Sequence, residues 1–150
     1  MRRDGQRGAR RQRGIAAAEL ALVMPVLVLL LIAPLYLGRV FWHYTAIQYA
    51  AQDAARYLSR APAAEMGNPT RAGTVADVAE AIVAQELAEL APGVVPHTFL
   101  SDCNGGACSG TTPTLVHVHV SQYMQDVFFP RYTLVDYDLH ADVTYPYVGQ

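Results

Sequence analysis

Residues 20–38 read LALVMPVLVLLLIAPLYLG, nineteen positions without one charged side chain. At about 1.5 Å per residue a helix of that length spans about 28 Å, close to the roughly 30 Å of a bilayer's hydrocarbon core. A helix buried in a small soluble domain needs apolar residues on one side only, whereas this stretch is apolar on every side. The segment is therefore read as a membrane-spanning helix, and the rest of the chain is arranged around it.

Upstream, six arginines (Arg2, Arg3, Arg7, Arg10, Arg11, Arg13) and one acid, Asp4, give the first fourteen residues a charge of about +5. The remaining 136 residues hold five arginines and twelve carboxylates, within a 150-residue chain whose formal net charge is −2. A basic cluster directly before a span stays on the cytoplasmic side, so the acidic part is expected in the periplasm. The same position explains the arginines as a topology signal, which argues against nucleic acid as a partner. The span runs on into LGRVFWHYTAIQ (37–48), which is bulky where a signal peptidase needs small residues. Phe41, Trp42 and Tyr44 suit an interfacial aromatic belt. The helix is thus expected to be retained as an anchor in contact with membrane lipid.

A different cut is suggested by RQRGIAAAELALVMP (11–25), where Gly14 separates the last arginine from the apolar run. Glu19 is the fifth residue after Gly14. A carboxylate drawn toward the centre of a bilayer costs on the order of 2–3 kcal/mol, less near the interface. Cleavage between Gly14 and Ile15 would create an α-amino group one helical turn from Glu19, at a helix N-terminus that favours negative charge. The plainer reading is that Glu19 sits among lipid headgroups.

Positions 10–57, RRQRGIAAAELALVMPVLVLLLIAPLYLGRVFWHYTAIQYAAQDAARY, resemble the type IV pilin group and more closely the TadE-like pseudopilins of tight-adherence (Flp) pilus systems. The shared features are the Arg-rich leader, Gly14, four small or apolar residues, Glu19-Leu20, the early Pro25, Gly38-Arg39 and the Ala-rich AAQDAARY. Leu20 stands where that family often has Phe, and Leu37 where an acidic-aromatic pair is common. The resemblance implies cleavage after Gly14 by a prepilin peptidase and association through Glu19 with other pilin-like subunits and Tad assembly proteins. It also implies a minor pseudopilin role in pilus biogenesis at the bacterial inner membrane.

Three segments are expected: a cleaved basic leader at 1–14, a transmembrane and amphipathic helix at 15–60, and a periplasmic α+β domain at 61–150. In the helix, Leu37, Phe41, Tyr44, Ile47 and Leu58, with Ala51 and Ala54 or Ala55 between them, recur at helical spacing as its core stripe. APAAEMGNPTRAG (61–73) reads as a break. A second helix is expected from Thr74, with Asp77 completing a capping box and Pro92-Gly93 ending it. Its apolar side combines Val75, Val78, Ala79, Ile82 and Leu90, with Val83 and Leu87 beside it.

Strands are read at 94–100, 114–121 and 133–145, with Pro96 confining the first to an edge or bulge. Alternation places Val116, Val118 and Val120 on one face of the second strand, and Leu115, His117 and His119 on the other. In the third, Val135, Tyr137, Leu139, Ala141 and Val143 oppose Asp136, Asp138, His140 and Asp142. The fold class is α+β and pilin-like, an antiparallel sheet with one face under helix and one face wet.

Cys103 and Cys108 bracket the short CNGGAC, which in an oxidising periplasm is expected to close as a disulfide. Two free thiols or half of a metal site are the alternatives, although no second Cys pair completes a zinc tetrad. His117, His119 and His140 beside aspartates open an alternative function, a signal-anchored periplasmic module binding a metal; a solvated sheet face needs no metal to explain them. No nucleophile elbow, Walker loop or HExxH helix is present, so neither an enzyme nor a cofactor is expected.

Overall fold

The structure, a computed structural model, describes residues 5–90, 97–108, 111–124 and 137–149. Its elements are α1 (Gly5–Arg60), α2 (Ala63–Met66), α3 (Pro69–Ala88), β1 (His97–Cys103), β2 (Leu115–Met124) and β3 (Tyr137–Pro146). This is the expected succession of a long apolar helix, a further helix and a three-stranded antiparallel sheet. The chain divides into two compact units, Met1–Arg39 and Val40–Gln150.

In the first unit α1 exposes large apolar side chains on all sides, with Leu22 at 75% and Leu30 at 68%. Among the described residues nothing covers them, and burial in an apolar medium at about 25 cal/mol per Å² is what such a surface calls for. Among the described residues, one helix, Ala16–Arg60, is long and apolar enough to cross a membrane. Pro25 and Pro34 lie inside it. Each removes a donor from the helical ladder, a defect that spanning helices tolerate.

In the second unit the continuation of α1 buries His43, Ile47, Ala50, Ala51, Ala54, Ala55, Leu58 and Ser59. Ile47, Leu58, Ala51 and Ala54 or Ala55 are the expected members of this stripe; Ala50 joins them. Phe41 and Tyr44 are not part of it, being 65% and 46% exposed. Small side chains set the contact surface, because alanines let neighbouring elements come close; Tyr44 shares the face of Ala51, seven residues on, but lies at the start of the buried stretch.

The break after α1 is shorter than the sequence suggests. Ala63–Met66 forms one helical turn, and α3 begins at Pro69, five residues before Thr74. Asn68 is the N-cap: its Oδ1 accepts from the backbone N–H of Thr70 at 3.0 Å and of Arg71 at 3.4 Å. Proline at the first helical position gives up a donor that would be orphaned anyway, so Asn68-Pro69 is a strong start signal. Thr74 is interior and its hydroxyl donates to the Thr70 carbonyl. Gly73 costs the helix about 1 kcal/mol but does not end it.

The core side of α3 is Ala72, Val75, Ala79, Val83 and Leu87. Val78 is 41% exposed, and Ile82 and Leu90 are half-buried. The four-residue step of the buried stripe turns those three toward its margin. The helix ends at Ala88, capped by Glu89, ahead of Pro92-Gly93, which lies outside the described residues.

The sheet order is β1-β2-β3, antiparallel throughout. Relative to expectation β1 runs on to Cys103 and β2 to Met124; positions 94–96 and 133–136 lie outside the described residues. The alternation is as read: Val116, Val118, Val120, Gln122, Met124, Leu139 and Ala141 are buried. Thr98 and Ser121, opposite each other on the wet face, join their hydroxyls. At the end of β1, Asn104 and Gly105 both have positive φ, 55° and 81°, the backbone of a primed tight turn. Cys103 and Gly106 exchange backbone hydrogen bonds across it.

The segment after β3 is tied to the end of α1. Val148 N–H donates to the Ser59 carbonyl at 2.9 Å, and the Tyr147 hydroxyl to that of Ala61 at 2.6 Å. Gly149 is required there, since a Cβ would overlap the Ala61 carbonyl oxygen.

Candidate functional site

Gly14 and Ile15 lie inside α1, nine and ten residues after its first position, so the bond between them is part of a helical ladder. Proteolysis of a helical bond requires local opening. Gly14 makes that opening easier by about 1 kcal/mol relative to an alanine. Glu19 lies four residues, about 6 Å of helical rise, beyond Ile15. Its side chain is exposed and makes no hydrogen bond or ion pair with another described residue. The arrangement can therefore place an accessible carboxylate one turn inside the helix start that a cut after Gly14 would create.

The second group of expected residues meets on the wet face of the sheet. Register brings His117 opposite Asp102 and Thr144, and His119 opposite Leu100 and Asp142. His117 Nδ1 lies 2.7 Å from Asp102 Oδ2, and His119 Nδ1 lies 2.7 Å from Asp142 Oδ1. The other ring nitrogen of His117 is 3.5 Å from Asp142, and His140 Nε2 is 3.5 Å from Asp138. The rings of His119 and His140 are 5.6 Å apart. The hydrogen bond from His119, reinforced by the neighbouring imidazoles, holds the Asp142 carboxyl below its usual value.

Asp102 also accepts a hydrogen bond from Gly105 N–H at 3.1 Å, coupling the histidine face to the tight turn. Asp102 was missed by sequence reasoning because the first strand was ended at 100; continuing it to the cysteine would have put Asp102 beside His117. Asp136 lies outside the described residues. The histidines and carboxylates thus pair with one another, and among the described residues no group of three or more forms a cluster suited to a metal ion.

Cys103 and Cys108 are joined as a disulfide. Asn104 holds the far side of this loop: its Oδ1 accepts from Thr114 N–H at 2.9 Å, Thr114 Oγ1 at 2.7 Å and Leu115 N–H at 2.9 Å. Elsewhere in the second unit, Arg56 pairs with Asp53 at 3.3 Å, and the neighbouring Tyr145 hydroxyl and then Asp53 raise its already high pKa. Partial burial, then the neighbouring Asp53 carboxylate, raises the Glu86 carboxyl.

A family model described as TadE-like protein matches residues 14–56, from the glycine before Ile15 to the arginine near the end of α1. No curated protein and no solved structure matches the chain.

Proposed function

We propose that the chain is a membrane-anchored, minor pilin-like subunit acting in assembly of a Tad/Flp-type pilus, processed by a prepilin peptidase after Gly14. The observation that carries this reading is the family match itself. It opens on Gly14 and spans the apolar helix together with the alanine-rich seam that anchors the second unit.

On this reading the arginines hold the leader in the cytoplasm, α1 crosses the inner membrane, and Val40–Gln150 lies in the periplasm. Cleavage removes the basic leader and leaves Ile15 with a charged amino group. The Glu19 carboxylate then has a cation to meet, either on its own helix or on a neighbouring subunit. In hydrocarbon the pairing of two otherwise unpaired charges is strongly favoured, so Glu19 supplies a register for side-by-side association of apolar helices. Partners are the peptidase, membrane lipid and other pilin-like subunits. The small α+β domain carries no catalytic step in this role.

The test is intact mass and N-terminal sequencing of membrane-extracted protein, made with and without the cognate peptidase, with Gly14→Arg as control. A chain beginning at Ile15 only with the peptidase, and only with Gly14, is the expected result. A chain that keeps its leader under all conditions overturns the processing step. It would favour the simple anchored module instead.

A further inference from the structure

Arg56 and Arg60 stand one helical turn apart at the C-terminal end of α1, both exposed and turned away from the buried Ala54, Ala55 and Leu58. With Tyr57, Ala61 and Pro62 they line an open concavity of about 350 Å³. The Tyr57 ring, Ala61, Pro62 and the methylene stems of the arginines give it an apolar floor, while the two guanidiniums supply cationic donors at its rim.

Two observations favour an anionic occupant. Arg56 is paired with Asp53 at 3.3 Å, whereas Arg60 makes no hydrogen bond or ion pair with another described residue, so Arg60 brings a guanidinium that no described carboxylate offsets. The usual objection to an anion at a helix C-terminus is weakened as well, because the Ser59 and Ala61 carbonyls are occupied by Val148 N–H and the Tyr147 hydroxyl.

We propose that this concavity binds an oxyanion, carboxylate or phosphate, carried on an apolar body. Guanidinium forks match either group bidentately, and the apolar floor takes the body that bears it. The site is independent of processing at Gly14 and of the pairing of Glu19.

The experiment is a titration of the full chain in neutral detergent, followed by NMR at the arginine side-chain Nε–H groups. The probes are benzoate, phenyl phosphate, inorganic phosphate and benzyl alcohol. Saturable shifts at Arg56 and Arg60 are expected with benzoate or phenyl phosphate, and whichever binds tighter identifies the oxyanion. Arg60→Gln should weaken that binding about tenfold. Arg60→Lys should give a smaller loss, and Arg71→Gln on α3 should leave affinity unchanged. Arg60 is exposed and makes no hydrogen bond or ion pair with another described residue, so its substitution is expected to leave the fold intact; circular dichroism checks this. Absence of saturable binding, or equal binding by Arg60→Gln, overturns the proposal. So does benzyl alcohol binding as tightly as benzoate, or inorganic phosphate as tightly as phenyl phosphate.

Discussion

Replacing Asn104 separates two contributions that the tight turn combines. Its Oδ1 accepts three hydrogen bonds, from Thr114 N–H, Thr114 Oγ1 and Leu115 N–H, while its own backbone sits at φ 55°. The side chain is exposed, so water replaces part of what is lost. Taking each bond at the low end of its usual range gives about 1.5–2 kcal/mol for all three. Holding a residue with a Cβ in the left-handed region adds about 1–2 kcal/mol, which asparagine offsets better than alanine and glycine avoids. Asn104→Gly should therefore cost about 2 kcal/mol, and Asn104→Ala about 3 kcal/mol or slightly more. Urea unfolding of the full chain in neutral detergent, followed by near-ultraviolet circular dichroism, reads both variants. Equal losses would refute the backbone argument. A loss below about 0.5 kcal/mol in both would mean that the Asn104 bonds contribute nothing to the stability of the loop.

Removing the disulfide with Cys103→Ser and Cys108→Ser opens a loop with a sequence separation of 5. Chain entropy puts the loss at about 2 kcal/mol, and reductant should shift the wild-type urea midpoint equally. Because the folded Asp142 carboxyl titrates below its ordinary value of about 3.8, its stabilising effect is complete above that pH and lost as pH falls through the lower folded value. Stability curves of wild type and Asp142→Asn should accordingly differ at neutral pH and converge in acid. Glu86 has the opposite sign: its folded carboxyl titrates above 4.5, so ionising it with rising pH weakens the fold. Glu86→Gln should stabilise the protein at neutral pH, with the gain vanishing below pH 4.5.

The parts that were legible in the sequence are those where one physical requirement acts alone. Leu20–Gly38 had only to be apolar on every side, and the alternation of β2 only to separate a covered face from a wet one. Errors arose where two signals competed. Gly73 and Pro69 both read as breakers near α3, yet proline at a first helical position is a starter and a single glycine is affordable. Pro96 drew attention to the wrong end of β1 and hid the pairing of Asp102 with His117. Phe41 and Tyr44 looked like core because they are large, whereas the seam is set by alanines. The concavity beside Arg60 has no sequence signature, although its lining residues, Arg56, Tyr57, Arg60, Ala61 and Pro62, are all close in sequence.

The alanines at 50, 51, 54 and 55, all fully buried, have a consequence for how this protein can drift. A core of leucines is damaged mainly by truncation, which leaves holes. Here the only smaller replacement is glycine, at about 1 kcal/mol of helix propensity, and every other change adds atoms where none fit. Random substitution at these four sites therefore meets a one-sided barrier. Lineages carrying this seam are expected to vary freely on the outer side of α1 while the inner side stays at its minimum size.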